Sequence, residues 1–254
     1  MFGRLQSLYV RINYFIKTKI LPILYPRRCP VCNTLLPYGT FICLTCEKKL
    51  PFVETPVCFS CGKPISSPEQ EYCYDCRIFP KSFHHGLSLL LYNEKTRPAM
   101  MAFKYKNARF YSYFFIKEIL KHHLNLLKEW HPDTIISIPI HKNKYKKRGY
   151  NQAELLAKDL SFSLNLSYYP NILIRTIDTL PQKQFSPQAR LNNLQRAFSI
   201  NPKYTELLKS FSSVLLIDDI YTTGATMEAC TRILLENGVE KVYIYSVCIG
   251  ISRD

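Results

Sequence analysis

The sequence predicts an α/β fold, a parallel sheet flanked by helices, with a small cysteine-stapled module ahead of it. Eight of the ten cysteines fall between Cys29 and Cys76, all in C-x-x-C pairs. The stretch that holds them has little aliphatic content and cannot build a core without a staple. From about residue 81 onward, apolar runs of strand length alternate with segments of helical periodicity, the pattern of a parallel sheet covered on both faces. A chain of 254 residues, 47% hydrophobic and 21% charged, can bury a core in one or two domains, and its composition excludes disordered, collagen-like and coiled-coil chains. The expected division is a helix and linker over 1–26, the cysteine module over 27–80 and the α/β domain over 81–254.

Within 1–24, Leu5, Leu8, Tyr9, Ile12, Phe15 and Ile16 recur at helical spacing, with Arg4, Arg11, Lys17 and Lys19 largely elsewhere. This reads as a helix packed on its own domain, ended by Pro22 and Pro26. The α/β region opens with a strand over 85–92, then a helical pattern over 96–128. A buried strand over 134–140, a helix over 151–164 and a short strand over 172–175 follow. Residues 177–196 are polar, with Pro181 and Pro187, and read as a long loop. A short strand over 197–200, a strongly apolar strand over 214–217, a helix over 226–237 and a last strand over 241–249 complete the order. Basic residues interrupt the first 24 positions, so no secretory segment forms, and no apolar run is long enough to span a bilayer. The expected location is cytoplasmic, where paired thiols stay reduced or hold metal.

The cysteine pairs are Cys29/Cys32, Cys43/Cys46, Cys58/Cys61 and Cys73/Cys76, separated by 10, 11 and 11 residues. A C-x-x-C turn aims two thiolates at one ion, and a hairpin brings a second pair round to complete a tetrahedron. Eight thiolates give two closed structural zinc sites. Sequential and interleaved pairing both fit the spacing. Cys230 and Cys248 stand apart and read as small buried apolar residues.

The sharpest motif runs from Val214 to Thr226, VLLIDDIYTTGAT. An apolar strand ends in Asp218 and Asp219, and a hydroxyl-rich loop with Gly224 leads into a helix. Backbone N–H groups at a helix start cradle phosphate, Thr222, Thr223 and Thr226 add hydroxyl donors, and the two carboxylates suit sugar hydroxyls and a hydrated Mg²⁺. Such sites lie at the carboxyl ends of parallel strands.

This segment resembles the 5-phosphoribosyl-1-pyrophosphate (PRPP) motif of type I phosphoribosyltransferases. Three further segments narrow the resemblance to the ComF family. Arg148-Gly149-Tyr150-Asn151-Gln152 is similar to its R-G-F-N-Q. Residues 182–198, QKQFSPQARLNNLQRAF, resemble its Q-x-x-L-S-x-x-x-R-x-x-N-x-x-x-A-F, with Phe185 replacing Leu. Phe103-Lys104-Tyr105 resembles its L-K-Y, and the cysteines resemble its double zinc ribbon. The resemblance implies a type I phosphoribosyltransferase fold that binds PRPP with Mg²⁺. Asp218 and Asp219 would then hold the ribose hydroxyls, and Tyr221, Thr222, Thr223, Gly224, Ala225 and Thr226 would form the 5-phosphate loop. Pro139, Ile140, His141 and Lys142 fall where the pyrophosphate loop is expected. Residues 177–196 would close over the ligand, with Arg190 and Gln182 as candidate catalytic residues. His141 and Glu154 are general-base candidates by location only.

Lys and Arg number 34 against 19 Asp and Glu, a formal net charge of +15, which suggests polyanionic partners. Lys142, Lys144, Lys146, Lys147 and Arg148, with Tyr145 among them, form a basic patch. Tyr145 and Tyr150 are candidates to stack unpaired bases, and Lys104 and Lys106 flank Tyr105 in a second cluster. The ComF resemblance implies handling of single-stranded DNA during natural transformation, alongside proteins of the DNA-uptake machinery. The alternative is an active phosphoribosyltransferase in nucleotide metabolism, displacing pyrophosphate from PRPP without a glutaminase.

Overall fold

The computed structural model describes residues 27–177 and 193–251. They fall into two compact units, divided between Leu50 and Pro51. The expected helix over 1–24 lies outside the described residues.

The first unit is built on a cysteine turn. The Asn33 N–H donates to the Cys29 carbonyl at 2.9 Å and the Cys29 N–H to the Thr34 carbonyl at 2.8 Å. A short helix, α1 (Leu44–Glu47), starts directly after Cys43. These two turns bring Cys29, Cys32, Cys43 and Cys46 into one group.

The second unit contains the sheet. Strands β1 (His85–Leu91), β2 (Thr134–Ser137), β5 (Ser213–Tyr221) and β6 (Lys241–Ile249) form one parallel sheet in the order β1-β6-β5-β2. β3 (Leu173–Arg175) and β4 (Phe198–Ile200) form a separate antiparallel pair. β5 and β6 are the central strands, and both are almost wholly buried, as expected where both faces are covered. The helices in chain order are α2 (Tyr74–Ile78), α3 (Arg97–Tyr105), α4 (Tyr111–Glu129), α5 (Lys142–Arg148), α6 (Gln152–Leu164), α7 (Thr205–Leu208) and α8 (Ala225–Glu236).

Three departures from the sequence reading matter for the site. The single helical pattern over 96–128 is two helices, because Asn107 takes a left-handed conformation with φ of 53°, one that asparagine adopts more readily than most residues. The strand expected over 214–217 runs on to Tyr221, with Tyr221 still in register with Ile249. Asp218 and Asp219 are therefore strand residues. The basic patch after His141, given no helix in the sequence reading, is helix α5. The His141 ring accepts the Asn143 N–H at its start, and Gly149 ends it.

The cysteine module expected over 27–80 is shared between the two units. Cys58, Cys61, Cys73 and Cys76 are buried in the same core as Phe83, Tyr221 and Ile244. The second ribbon lies so close to β1 that a Cβ on Gly62 would sit 2.5 Å from the Gly86 carbonyl oxygen. Among the described residues, no helix is long and apolar enough to cross a membrane.

Candidate functional site

The two cysteine groups are Cys29/Cys32/Cys43/Cys46 and Cys58/Cys61/Cys73/Cys76, with the thiols of each group all within 4.8 Å of one another. The pairing is sequential. Sulfurs 2.3 Å from a tetrahedral zinc lie about 3.8 Å apart. The Cys32–Cys43 and Cys61–Cys73 separations are 3.7 and 3.6 Å. Four thiols at this spacing cannot all ionise unless a cation sits among them. Hydrogen bonds from Cys61, Cys73 and Cys76 pull Cys58 down, and those with Cys58, Cys73 and Cys76, with burial, push Cys61 far up. In the first group, hydrogen bonding from Thr34 pulls Cys32 down to about 6. The donor sets fit zinc. Cys230 and Cys248 are buried elsewhere.

The acid pair lies at the carboxyl end of β5. Successive strand residues face opposite sides of a sheet, so the two carboxylates meet different neighbours. Asp219 is held by Lys104 at 3.0 Å, with both side chains largely buried. Asp218 Oδ1 accepts the Asp219 N–H at 2.7 Å. Burial first, and then the charge of Asp219, push Asp218 up to about 7 against the opposing pull of Lys104.

Beyond the pair, Thr222 and Thr223 are exposed, and Gly224 turns the chain with φ of 77° into α8. A Cβ on Gly224 would meet the Tyr221 hydroxyl at 2.1 Å. Tyr221 is only 3% exposed and therefore forms the floor of the loop. Lys63 of the second ribbon lies 5.9 Å over its ring. Lys63 is itself paired with Asp75, next to Cys76, at 2.5 Å. The second cysteine group, Tyr221 and the Gly224 turn are thus packed in series. Ser82, just after the ribbon, donates its N–H and its hydroxyl to buried Glu228 of α8 at 2.8 and 2.7 Å.

The loop after β2 leaves the sheet beside the acids. The Ile138 N–H donates to the Ile217 carbonyl at 3.0 Å, so Pro139, Ile140, His141 and Lys142 begin level with the residue before Asp218. Pro139 and His141 are buried and Lys142 is exposed. Asn151 pins this loop by donating to the Ile138 carbonyl at 2.9 Å while its Oδ1 caps α6. Tyr150 and Gln152 both donate to the Phe103 carbonyl, and Arg148 bonds Gln152 and the Tyr105 hydroxyl at 2.9 and 3.2 Å. The Arg148–Gln152 segment therefore braces the end of α3, the helix that presents Lys104 to Asp219.

This bracing revises the expected nucleic-acid residues. Tyr150 is buried against Phe103 and cannot stack an external base. Lys104 and Arg148 already serve internal partners. Lys106, Tyr145, Lys146 and Lys147 are exposed, and Lys144 is half-buried. Arg190 and Gln182 lie outside the described residues. The supporting roles of Lys63, Tyr221 and Glu228 escaped the sequence reading, since each depends on a partner distant in the chain.

A model of the phosphoribosyl transferase domain matches residues 115–253, more than half of the chain. The chain belongs to the phosphoribosyl transferase domain family. A double zinc ribbon domain matches residues 20–77, which accounts for both cysteine groups. Competence protein F of Haemophilus influenzae is 34% identical over 116 residues, 46% of this chain and 50% of that protein. The DNA utilization protein YhgH of Escherichia coli K12 is 32% identical over 117 residues, 46% and 49% of the two chains. Competence protein ComFC of Bacillus subtilis is 29% identical over 154 residues, 59% and 58%. The matches span about half the length of these relatives. A double zinc ribbon, a phosphoribosyl transferase domain and relatives with these names bear out the ComF resemblance.

Proposed function

We propose that this chain binds PRPP with Mg²⁺ at the β5–α8 loop and uses that domain in handling single-stranded DNA during DNA uptake. The observation that carries the ligand is the continuous run from the Lys104-braced acid pair through the Gly224 turn to the start of a twelve-residue helix. Oriented N–H groups and the helix dipole favour a phosphate there, supplied by Thr222, Thr223, Gly224, Ala225 and Thr226. Asp218 and Asp219 accept the ribose hydroxyls. The loop over 139–142 flanks the pyrophosphate, where exposed Lys142 offsets its charge. The carboxylates and threonine hydroxyls are hard oxygen donors, as magnesium requires, and the bound ion would offset charge on a departing pyrophosphate. The DNA reading rests on the basic charge and on the names of the relatives.

Calorimetric titration of PRPP with Mg²⁺ into the full chain tests the ligand. Saturable binding is expected, weakened at least about a hundredfold in Asp218→Ala/Asp219→Ala, since two charge-assisted bonds of ~1.5–3 kcal/mol each are lost. Equal binding by the variant, or none by the unaltered chain, would overturn the proposal.

Asp218 adds a pH dependence. Its carboxyl is raised, so its contribution to the stability of the unliganded fold is full below about pH 4 and is lost as pH rises through 7. A diol that donates to both carboxylates selects the ionised pair. Affinity should therefore rise about tenfold between pH 6 and pH 8, with less dependence in Asp218→Asn. Calorimetry across that range checks it.

A further inference from the structure

Outside the acid-pair site, a cleft of about 430 Å³ opens between the second ribbon and the start of β1. Its walls carry the rings of Phe59, Tyr72 and His84 and the cations of Arg77 and Lys81. We propose that this cleft is a binding site for an unpaired stretch of nucleic acid, taking a base against Phe59 and Tyr72 and the flanking phosphates against Arg77 and Lys81. The choice of polymer rests on the DNA reading above; the place does not.

Three features point to this occupant. The rings are left in water although the ribbon around them is tightly packed: Phe59 is 56% and Tyr72 42% exposed, while their neighbours Cys58 and Cys73 are buried. The two rings meet edge to face, centroids 6.3 Å apart at 89°, so a base can lie on one face and touch the edge of the other ring. No carboxylate lines the cleft, and neither Arg77 nor Lys81 has an ion pair among the described residues. Of the nearby acids, Asp75 pairs with Lys63, Glu228 bonds Ser82 and Arg232, and Glu71 lies outside the lining of the cleft. Cations without acids beside exposed rings match a phosphodiester strand with splayed bases. They fit an acidic peptide less well, because it offers no flat faces to the rings. The volume is within the range of about 300–1,000 Å³ usual for sites that enclose a small ligand.

The ribbon fixes this geometry. Phe59 follows Cys58, its N–H donates to the Glu71 carbonyl at 2.9 Å, and Tyr72 precedes Cys73, so both rings stand on the turns that hold the cysteine group. They are positioned before any strand arrives, which lowers the ordering cost of binding.

The test is fluorescence anisotropy of the full chain with a labelled oligothymidylate of about 20 nucleotides, long enough to span a groove and beyond. Phe59→Ala/Tyr72→Ala should weaken binding at least tenfold at one salt concentration. Arg77→Ala/Lys81→Ala should weaken it and lower the slope of log affinity against log salt by about 1.4, the single-strand value for two phosphates. All four residues are at the surface, and two zinc ions per chain in each variant would show that the ribbons remain folded. If these variants bind as the unaltered chain does while Lys144→Ala/Lys146→Ala/Lys147→Ala loses binding, the cleft is wrong and the DNA reading stands. If the unaltered chain does not bind the oligonucleotide, both fall. A photoreactive bromodeoxyuridine strand adds a direct arm. Crosslinks to the peptides holding Phe59 or Tyr72 support the cleft, and crosslinks confined to α5 refute it.

Discussion

The Cys58→Ser/Cys61→Ser variant is expected to lose one zinc ion and, with it, PRPP binding at the β5–α8 loop. The equivalent change in the other group, Cys29→Ser/Cys32→Ser, should also cost one zinc but leave the loop working. The difference follows from where each group is buried. Cys58, Cys61, Cys73 and Cys76 share a core with Tyr221, whose ring is the floor under Gly224. The first group belongs to the other compact unit. Structural zinc supplies about 10–16 kcal/mol of apparent folding free energy in small zinc peptides. Losing even a third of that would exhaust much of a domain's usual margin of about 5–15 kcal/mol. We therefore expect the variant of the second group to melt at least about 10 °C lower and to show no saturable heat with PRPP. Metal analysis, calorimetry and thermal unfolding of the two variants side by side check it. Equal loss of binding in both would show that the buried packing around Tyr221 is not what supports the loop.

The Gly224→Ala variant should have the next largest effect. At φ of 77° an alanine carries a penalty of roughly 1–2 kcal/mol. The new Cβ would also meet the Tyr221 hydroxyl at 2.1 Å and the ring carbon that bears it at 2.5 Å. That ring is packed in the core and has nowhere to swing, so the loop must move, and the N–H groups that would hold the phosphate move with it. PRPP affinity should fall by about a hundredfold or more, the cost of losing charge-assisted bonds. Adding Tyr221→Leu removes the colliding atoms and should recover part of the binding, leaving the backbone penalty. If Gly224→Ala alone binds PRPP normally, this turn is not the phosphate cradle.

Much of this could be read from the sequence because local patterns carried it. The C-x-x-C pairs marked all eight metal ligands but left their grouping open, which the structure makes sequential, and the parallel sheet followed from apolar runs alternating with helical periodicity. Residues 214–226 showed the acids, the hydroxyls and the turn in one stretch. What escaped depended on long-range packing. Lys104 reads as part of a nucleic-acid cluster around Tyr105 until α3 is seen braced by Tyr150 and Gln152, which turns it onto Asp219. Tyr150 reads as a stacking residue because an aromatic among basic residues looks the same whether exposed or buried. Helix α5 was missed because its seven residues carry no apolar periodicity; its cap His141 and terminal Gly149 were the available signals. The extension of β5 through two aspartates ran against the low strand propensity of that residue, and pairing with β6 outweighed it. The second ribbon's place in the core of the larger unit rests on Gly62 meeting Gly86 and Glu228 meeting Ser82, contacts that no local pattern announces.

The central claim is that a phosphoribosyl ligand sits where β5 gives way to α8. Hydrogen exchange of the full chain, with and without PRPP and Mg²⁺, tests this most directly because it reports where protection arises. The account predicts slowed exchange over 219–228 and 138–142, absent in Asp218→Ala/Asp219→Ala. Unchanged exchange in those segments under saturating ligand, or protection confined to 59–84 around the ribbon cleft, would contradict it.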